Sequence, residues 1–228
     1  MSHTSWVLNL IRVRDLDRIL KTGTTTVGIK CKEGVVLATD RRVTSGFYIA
    51  HKKGKKIWKI DDHAAATMSG AVADTQKILD RLTAESKYYR LVNRRPIRIK
   101  SLASLASLLL FSARPSILLS HIIIAGIDDI GPQIYTVDWF GTVTEERDYI
   151  ATGSGSPTAL GVLEDQYSPD MSIKEAIELA IRAVYSAMRR DPGSGEGVDV
   201  AYISYDKGYV ELSDSETEGF IRKIKRSR

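Results

Sequence analysis

The sequence is poor in several features that define whole classes of protein. It has one cysteine among 228 residues, which excludes an internal disulfide bond and is typical of a reducing compartment. Residues 1–23 do not have the pattern of a secretory signal, and no repeat, low-complexity tract or linker is visible. The apolar stretch at residues 108–125 is interrupted by Arg114, Pro115 and His121, so it predicts no transmembrane helix. We therefore expect a cytoplasmic protein without a membrane partner.

The composition itself is that of an ordinary globular protein. The chain is 43% hydrophobic and 27% charged, which at this length predicts one domain with a substantial core. We expect Cys31 to be an inert surface thiol, because the sequence places no base beside it. The net charge is +5, and we expect the basic cluster at 222–228 to be a solvated tail. Nucleic-acid binding is the alternative, but no basic motif interleaved with aromatics supports it, so we expect no nucleic-acid partner.

The first half of the chain has the alternating pattern of β-strands. Residues 25–30 and 35–40 are β-rich and flank a Lys-Glu-Gly turn, which predicts a hairpin. If the turn is centred between its lysine and its glutamate, Thr24 lies opposite Arg41 and one residue from Asp40. The register therefore predicts a carboxylate next to the first threonine of this hairpin.

The remaining pattern predicts further strands and two pairs of helices. We predict strands at residues 47–51, 57–60, 64–70, 121–127, 133–138, 144–150, 198–205 and 207–212. Helices are predicted at residues 74–94, 102–113, 157–166 and 172–189. Ser172, with Glu175 three residues on, predicts a capped helix start, and the helix at 102–113 is apolar nearly all round, which predicts burial. The next hairpin turn, if it is centred on Asp62, sets Lys56 opposite Met68. This order predicts an α+β fold with a large antiparallel sheet.

A charged leader and the first strand are separated by Lys-Thr-Gly-Thr-Thr-Thr-Val-Gly at residues 21–28. A threonine hydroxyl is a weak nucleophile that needs a base beside it. A free α-amine, with a pKa of about 7.7–8.0, suits that task near neutral pH. Cutting the bond between Gly23 and Thr24 would place both groups on one residue, and a glycine leaves its carbonyl open to attack. The alternative is that these threonines simply open a strand as good β-formers.

Four further segments accompany this site. They are Ala-Thr-Asp-Arg-Arg-Val-Thr at 38–44, His-Lys-Lys-Gly-Lys-Lys-Ile-Trp-Lys-Ile-Asp at 51–61, Gly-Ser-Gly-Ser at 153–156 and Arg-Asp-Pro-Gly-Ser-Gly at 190–195. In order and spacing they resemble the active-site motifs of archaeal-type 20S proteasome β-subunits, which are threonine peptidases among the N-terminal nucleophile hydrolases. The resemblance covers essentially everything from Thr24 onwards. It implies an α+β fold, a four-layer αββα sandwich.

The resemblance also implies that the chain is made as a precursor. Residues 1–23 would be an autocatalytically removed propeptide, and residues 24–228 the proteasome β-type catalytic domain. Gly23 would be the processing residue and Thr24 the nucleophile. Before cleavage the nitrogen of Thr24 is an amide and cannot act as a base, so the precursor is expected to be inactive.

The implied catalytic residues surround the nucleophile. The resemblance implies that they are Thr24, Asp40, Lys56, Ser154, Asp191 and Ser194. The Lys56 ammonium would favour the alkoxide and lower the pKa of the amine, and Asp40 would keep this lysine charged. By themselves the residues also allow a solvated Lys56, a surface ion pair of Asp40 with the arginines that follow it, and Asp191 as a helix terminator.

Substrate binding is implied by a second group of residues. The amide of Gly70 would stabilise the oxyanion, and the residues that would bind substrate are Val43, Thr44, Trp58, Met68 and Val72. Met68 predicts an apolar pocket and cleavage after large hydrophobic residues, although methionine more often fills a core. Two positions depart from the family pattern, in which glycine often stands where this chain has Glu196 and Ala73.

The resemblance implies a threonine endopeptidase that hydrolyses unfolded proteins and needs no metal or cofactor. It would work inside four stacked seven-membered rings, with β-subunits between α-subunit rings and a regulatory ATPase on the α-rings. One alternative is an unprocessed, structural β-subunit that supports active neighbours. Another is the bacterial two-ring relative, but those chains are shorter and the helical C-terminal half argues against it.

Overall fold

A computed structural model describes residues 23–45 and 48–226 of the chain. In chain order its strands are β1 (Thr26–Cys31), β2 (Gly34–Asp40), β3 (Val43–Ser45), β4 (Tyr48–His51), β5 (Ile57–Asp61), β6 (Ala64–Gly70), β7 (Ser120–Asp128), β8 (Gly131–Val137), β9 (Val143–Glu146), β10 (Tyr149–Thr152), β11 (Val198–Ser204) and β12 (Gly208–Glu211). Its helices are α1 (Val72–Asn93), α2 (Ile99–Ser112), α3 (Ser156–Gln166), α4 (Ile173–Met188) and α5 (Asp214–Arg226). Most of the predicted propeptide, residues 1–22, and residue 47 of a predicted strand lie outside the described residues.

Two five-stranded sheets form the centre of the fold. One has the strand order β10-β1-β2-β11-β12 and the other β5-β6-β7-β8-β9. Every pair of neighbouring strands in both sheets is antiparallel. The predicted antiparallel α+β architecture is confirmed, and its strands are divided between two sheets, as the expected αββα pattern requires. β3 pairs with β4 in a separate ribbon and was not predicted.

The registers predicted for both hairpins are confirmed. Thr26 pairs with Thr39 in the β1–β2 hairpin, as expected from the position of its turn. In the β5–β6 hairpin the backbone N–H of Met68 donates to the carbonyl of Lys56 at 2.8 Å. The turn sets the register of the first hairpin, whereas in the second a register shift between Lys59 and Asp61 also contributes to the position of Lys56 opposite Met68.

Three hydrophobic clusters lie between four layers. Successive side chains of a strand point to opposite faces, so Val35 and Leu37 of β2 pack between the two sheets. Val36 and Ala38 point the other way, into a cluster shared with α3, α4 and α5. The outer face of the second sheet packs against α1 and α2, where Leu82 is fully buried. The predicted four-layer αββα sandwich is therefore confirmed.

The chain changes sheets where a single strand was predicted at residues 144–150, so that prediction was wrong. β9 ends at Glu146 in one sheet, and β10 begins at Tyr149 in the other. Between them, the carbonyl of Asp148 accepts a hydrogen bond from Lys30 N at 2.7 Å. Pairing with distant strands determines this break, and local β-propensity does not reveal it.

The basic segment near the C terminus is helix α5 and not the predicted solvated tail. Ser213 Oγ accepts from Glu216 N at 3.4 Å, and Glu216 Oε2 accepts from Ser213 N at 2.8 Å, which is a capping box. Ile224 is fully buried, whereas the basic side chains around it are exposed. The capping pair followed by apolar residues at helical spacing is the sequence signal that could have predicted this helix.

Two predictions of burial were wrong and one capping prediction was right. Cys31 is 3% exposed, because helices cover its face of the sheet, and burial raises the pKa of its thiol. α2 is not buried all round, since Leu108 and Phe111 are 59% and 55% exposed. The capping box of Ser172 and Glu175 is present at the start of α4. No helix of the described residues has both the length and the apolar character that crossing a bilayer requires.

Candidate active site

The hydroxyl of Thr24 lies between a cation and a carbonyl group, just before β1. Lys56 Nζ donates to Thr24 Oγ1 at 3.0 Å. The same hydroxyl donates to the carbonyl oxygen of Gly23 at 2.6 Å. Thr24 is only 5% exposed, so these contacts are largely shielded from water. The hydroxyl oxygen is therefore placed against the carbonyl that precedes it in the chain.

Lys56 and Asp40 form a buried ion pair. Lys56 Nζ lies 2.7 Å from Asp40 Oδ1, and their side chains are 5% and 0% exposed. Burial lowers the pKa of Lys56, while the charge of Asp40 opposes that shift. The predicted contact of Asp40 with Lys56 is present. The alternative that Lys56 is a solvated lysine is excluded by its burial.

Backbone groups hold the carboxylate of Asp40 in place. Asp40 Oδ1 also accepts from Thr25 N at 2.9 Å. Asp40 Oδ2 accepts from Arg42 N at 3.0 Å and from Gly195 N at 2.9 Å. These three backbone donors therefore fix the orientation of the Asp40 carboxylate beside the lysine.

A chain of hydroxyl groups connects the backbone nitrogen of Thr24 with Asp191. Thr24 N donates to Ser154 Oγ at 3.2 Å, and Ser154 Oγ donates to Asp191 Oδ2 at 2.6 Å. Ser194 Oγ donates to the same carboxylate oxygen at 2.6 Å and lies 2.7 Å from Thr25 Oγ1. The structure therefore brings all six predicted catalytic residues together, from segments more than 100 residues apart.

Two glycines near Thr24 are required by the backbone geometry. A Cβ atom on Gly23 would lie 2.0 Å from the Cα of Gly193, so no larger residue fits before Thr24. Gly70 has a φ of +112°, and a Cβ there would lie 2.2 Å from the carbonyl oxygen of Leu119. Both conditions favour glycine over every other residue.

A cavity of about 790 Å³ opens beside Thr24. Its lining includes Gly70 and four of the predicted substrate-binding residues, namely Val43, Thr44, Met68 and Val72. Trp58 is not among the lining residues; it packs against the cluster beneath α1 and α2. Thr44 Oγ1 accepts from Gly23 N at 2.8 Å, so this side chain contacts the residue before Thr24.

Sequence reasoning missed several residues around this site. His51, Lys52, Lys53 and Lys55 line the cavity, although their motif was recognised only for Lys56. Side-chain direction in that exposed, irregular segment follows no simple period, so no sequence signal distinguishes the lining residues.

The two arginines after Asp40 were considered as its ion-pair partners, but they pair with other carboxylates. Arg41 pairs with Asp214 and, at 2.7 Å, with Asp199. Arg42 pairs with Glu196 at 3.1 Å and donates to the carbonyl of Pro192 at 2.7 Å.

Glu196, one of the two departures from the family pattern, has a φ of +67°. This left-handed conformation is uncommon for a residue with a side chain. Its ion pair with Arg42 joins the loop after α4 to the end of β2. The other departure, Ala73, lies in the first turn of α1. Among the described residues, no group of three His, Cys, Asp or Glu side chains could hold a metal ion.

The fold has the architecture of the N-terminal nucleophile hydrolases. Two antiparallel sheets are stacked between helical layers, and a threonine hydroxyl lies at the start of the first strand. Residues 20–203 match the family model described as "Proteasome subunit". The chain therefore belongs to the proteasome subunit family.

Its relatives include several archaeal β-subunits. "Proteasome subunit beta 1" of Caldivirga maquilingensis is 58% identical over 202 residues, which are 88% of this chain and 98% of that protein. "Proteasome subunit beta 2" of Pyrobaculum islandicum is 61% identical over 182 residues, 79% of this chain and 90% of that protein. "Proteasome subunit beta" of Archaeoglobus profundus is 46% identical over 211 residues, 92% of this chain and 97% of that protein.

Proposed function

We propose that the chain is a threonine endopeptidase subunit of a proteasome, made as a precursor that cuts itself between Gly23 and Thr24. The observation that carries this proposal is the position of the Thr24 hydroxyl. It lies 3.0 Å from the ammonium of Lys56 and 2.6 Å from the carbonyl oxygen of Gly23. A nucleophile, its electrostatic support and a target carbonyl thus occupy one buried site.

In the proposed self-cleavage, Thr24 Oγ1 attacks the carbonyl carbon of Gly23. The bond from that carbon to the nitrogen of Thr24 breaks, the nitrogen takes up the proton of the hydroxyl, and an ester remains. Water then hydrolyses the ester and leaves residues 1–23 with a carboxylate and Thr24 with a free amine. The contact between Thr44 Oγ1 and Gly23 N supports the proposal because it holds the carbonyl group in place.

In the proposed peptidase reaction, the same hydroxyl attacks the carbonyl carbon of a substrate. Lys56, held by Asp40, stabilises the developing alkoxide, and the amide of Gly70 stabilises the oxyanion. The amine that cleavage frees at Thr24, whose nitrogen already donates to Ser154 in the uncleaved chain, protonates the leaving amine and later activates the water that hydrolyses the acyl ester. Ser154, Asp191 and Ser194 orient this amine.

We propose that substrate residues bind in the cavity as an added strand beside Thr44 and Val72. Val43 and Met68 make part of the lining apolar, which supports cleavage after large hydrophobic residues. The names of the relatives support assembly with other proteasome subunits. We propose the family arrangement of α- and β-rings with a regulatory ATPase, in the cytoplasm, with unfolded proteins as substrates.

The proposal is tested by the intact mass of the subunit after co-expression with its α-partner. We expect a chain that begins at Thr24, together with hydrolysis of fluorogenic peptides that end in a large hydrophobic residue. The Thr24→Ala variant should remain full-length and lose at least about 1,000-fold in kcat/KM, whereas Thr24→Ser, which keeps a hydroxyl, should still be processed. A full-length wild-type chain inside assembled rings would instead identify a structural β-subunit.

A further inference from the structure

We infer that one wall of the cavity beside Thr24 selects substrates with an acidic side chain two positions before the residue at the cleaved bond. This inference rests on the proposed function. The wall, here called the basic wall, consists of His51, Lys52, Lys53 and Lys55. It adds a charge preference to the apolar preference expected from Met68.

The lining of the cavity is strongly asymmetric in charge. Its lining combines apolar side chains with the basic wall and Lys56. No aspartate or glutamate is among the lining residues that the structure describes; the full set is Gly23, Thr24, Val43, Thr44, Ala50, His51, Lys52, Lys53, Gly54, Lys55, Lys56, Met68, Gly70, Val72 and Gln76. A cleft lined by one sign of charge concentrates ligands of the opposite sign.

Not all of this positive charge is available to a ligand. Asp40 neutralises Lys56, and Glu211 lies 2.6 Å from the ammonium of Lys55. Within residues 23–45 and 48–226, Lys52 and Lys53 have no carboxylate partner. Their side chains are exposed, so they can reach a bound peptide. The net charge of the lining is therefore positive because of these two lysines.

The size of the cavity indicates which substrate side chains reach the basic wall. About 790 Å³ is a volume typical of sites that hold more than one side chain. In an extended peptide, residues i and i+2 point to the same face, about 7 Å apart. A large apolar side chain in the pocket is therefore accompanied on that face by the side chain two positions before it.

The preference can be measured with assembled particles containing this subunit and its α-partner. Three N-terminally blocked fluorogenic peptides, Ala-Glu-Ala-Leu, Ala-Gln-Ala-Leu and Ala-Lys-Ala-Leu, differ only at the position in question. Because an exposed ion pair is weak, we expect kcat/KM for the Glu peptide to exceed that for the Gln peptide about three- to tenfold. The Lys peptide should be the poorest of the three. The ratio of kcat/KM for the Glu peptide to that for the Gln peptide should approach one at about 1 M salt, where the Debye length is about 3 Å.

Charge reversal at the wall tests its cause. The Lys52→Glu/Lys53→Glu variant should prefer the Lys peptide, whereas Lys100→Glu, an exposed change on α2, should keep the wild-type order. Equal cleavage of the Glu and Gln peptides at low salt, or an unchanged order in the double variant, would overturn the inference. The same ratios can be measured as binding to wild-type particles, with the three peptides ending at the leucine carboxylate so that no bond after leucine can be cleaved. If the Glu peptide binds more tightly than the Gln peptide but the wild type hydrolyses neither, the proposed function is overturned and the inference about the basic wall is not.

Discussion

At the scale of single residues, the site depends on the buried ion pair of Lys56 and Asp40. Burial lowers the pKa of Lys56, and the charge of Asp40 raises it. Between the lowered pKa of the folded state and the ordinary pKa of the unfolded chain, the unfolded chain binds more protons. The contribution of Lys56 to stability therefore rises with pH across that window.

Replacing the carboxylate should change both the rate and its pH dependence. In Asp40→Asn the charge that raises the pKa of Lys56 is lost, so this pKa falls further and the ammonium is lost at a lower pH. We expect kcat/KM to fall about 100- to 1,000-fold, and the alkaline limb of the pH–rate profile to move to lower pH. Peptide hydrolysis measured across pH by processed particles checks both effects.

A control separates this effect from a general loss of charge. Asp62→Asn removes an exposed carboxylate that pairs with Lys59, and it should leave the alkaline limb in place. If Asp40→Asn and Asp62→Asn have the same profile, Lys56 does not act through its charge.

Some of these residues could be predicted and others could not. Asp40 could be predicted beside Thr24 because it ends a hairpin whose register follows from its turn. Lys56 could be predicted opposite Met68 because it directly precedes the second hairpin, although a register shift between Lys59 and Asp61 also affects that pairing. The partners of Arg41 were not accessible, because Asp199 and Asp214 follow it by more than 150 residues. Only the folded chain brings such side chains together.

At the scale of secondary structure, the helix that sequence reasoning missed is α5. Its inner face joins the cluster between the first sheet and the helices above it, and Ile224 is fully buried there. Its outer face carries charged residues, of which Lys223 pairs with Glu178 of α4 at 2.6 Å. The helix is therefore part of the fold and not an appendage.

Truncating the buried residue of α5 should cost stability. We expect Ile224→Ala to lower the free energy of unfolding by about 2–5 kcal/mol, as is usual for a large-to-small change in a core. Arg222→Ala, an exposed change on the same helix, should cost no more than about 0.5 kcal/mol. Urea unfolding of the two variants checks this difference. Equal midpoints would mean that α5 does not stabilise the folded chain.

At the scale of the whole molecule, the site is built across the two sheets. Thr24 and Asp40 belong to the first sheet or its border, whereas Lys56 immediately precedes a strand of the second. The cluster between the sheets, which includes Ile123 and Leu37, sets their separation. The geometry of the nucleophile therefore depends on packing at a distance from it.

A cavity between the sheets should affect catalysis as well as stability. Ile123→Ala and Leu82→Ala both truncate fully buried side chains, and each should cost about 2–5 kcal/mol. Ile123 separates the sheets, so its truncation should also lower kcat about 10- to 100-fold through misplacement of Lys56. Leu82 lies beneath α1, and its variant should keep kcat. Peptide hydrolysis measured well below the unfolding temperature distinguishes the two variants. Equal kcat values would show that catalysis does not depend on packing between the sheets.

By itself, the sequence determined what depends on neighbours in the chain. Turn position determined the register of the first hairpin, and alternation predicted strands whose two faces pack into separate cores. The order of motifs around Gly23 and Thr24 predicted the family. Tertiary structure alone decided which charges are buried, where the segment at residues 143–152 changes sheets, and which side chains form the basic wall. The physical reason is that burial and long-range pairing are properties of packed surfaces, and segments far apart in the chain contribute those surfaces together.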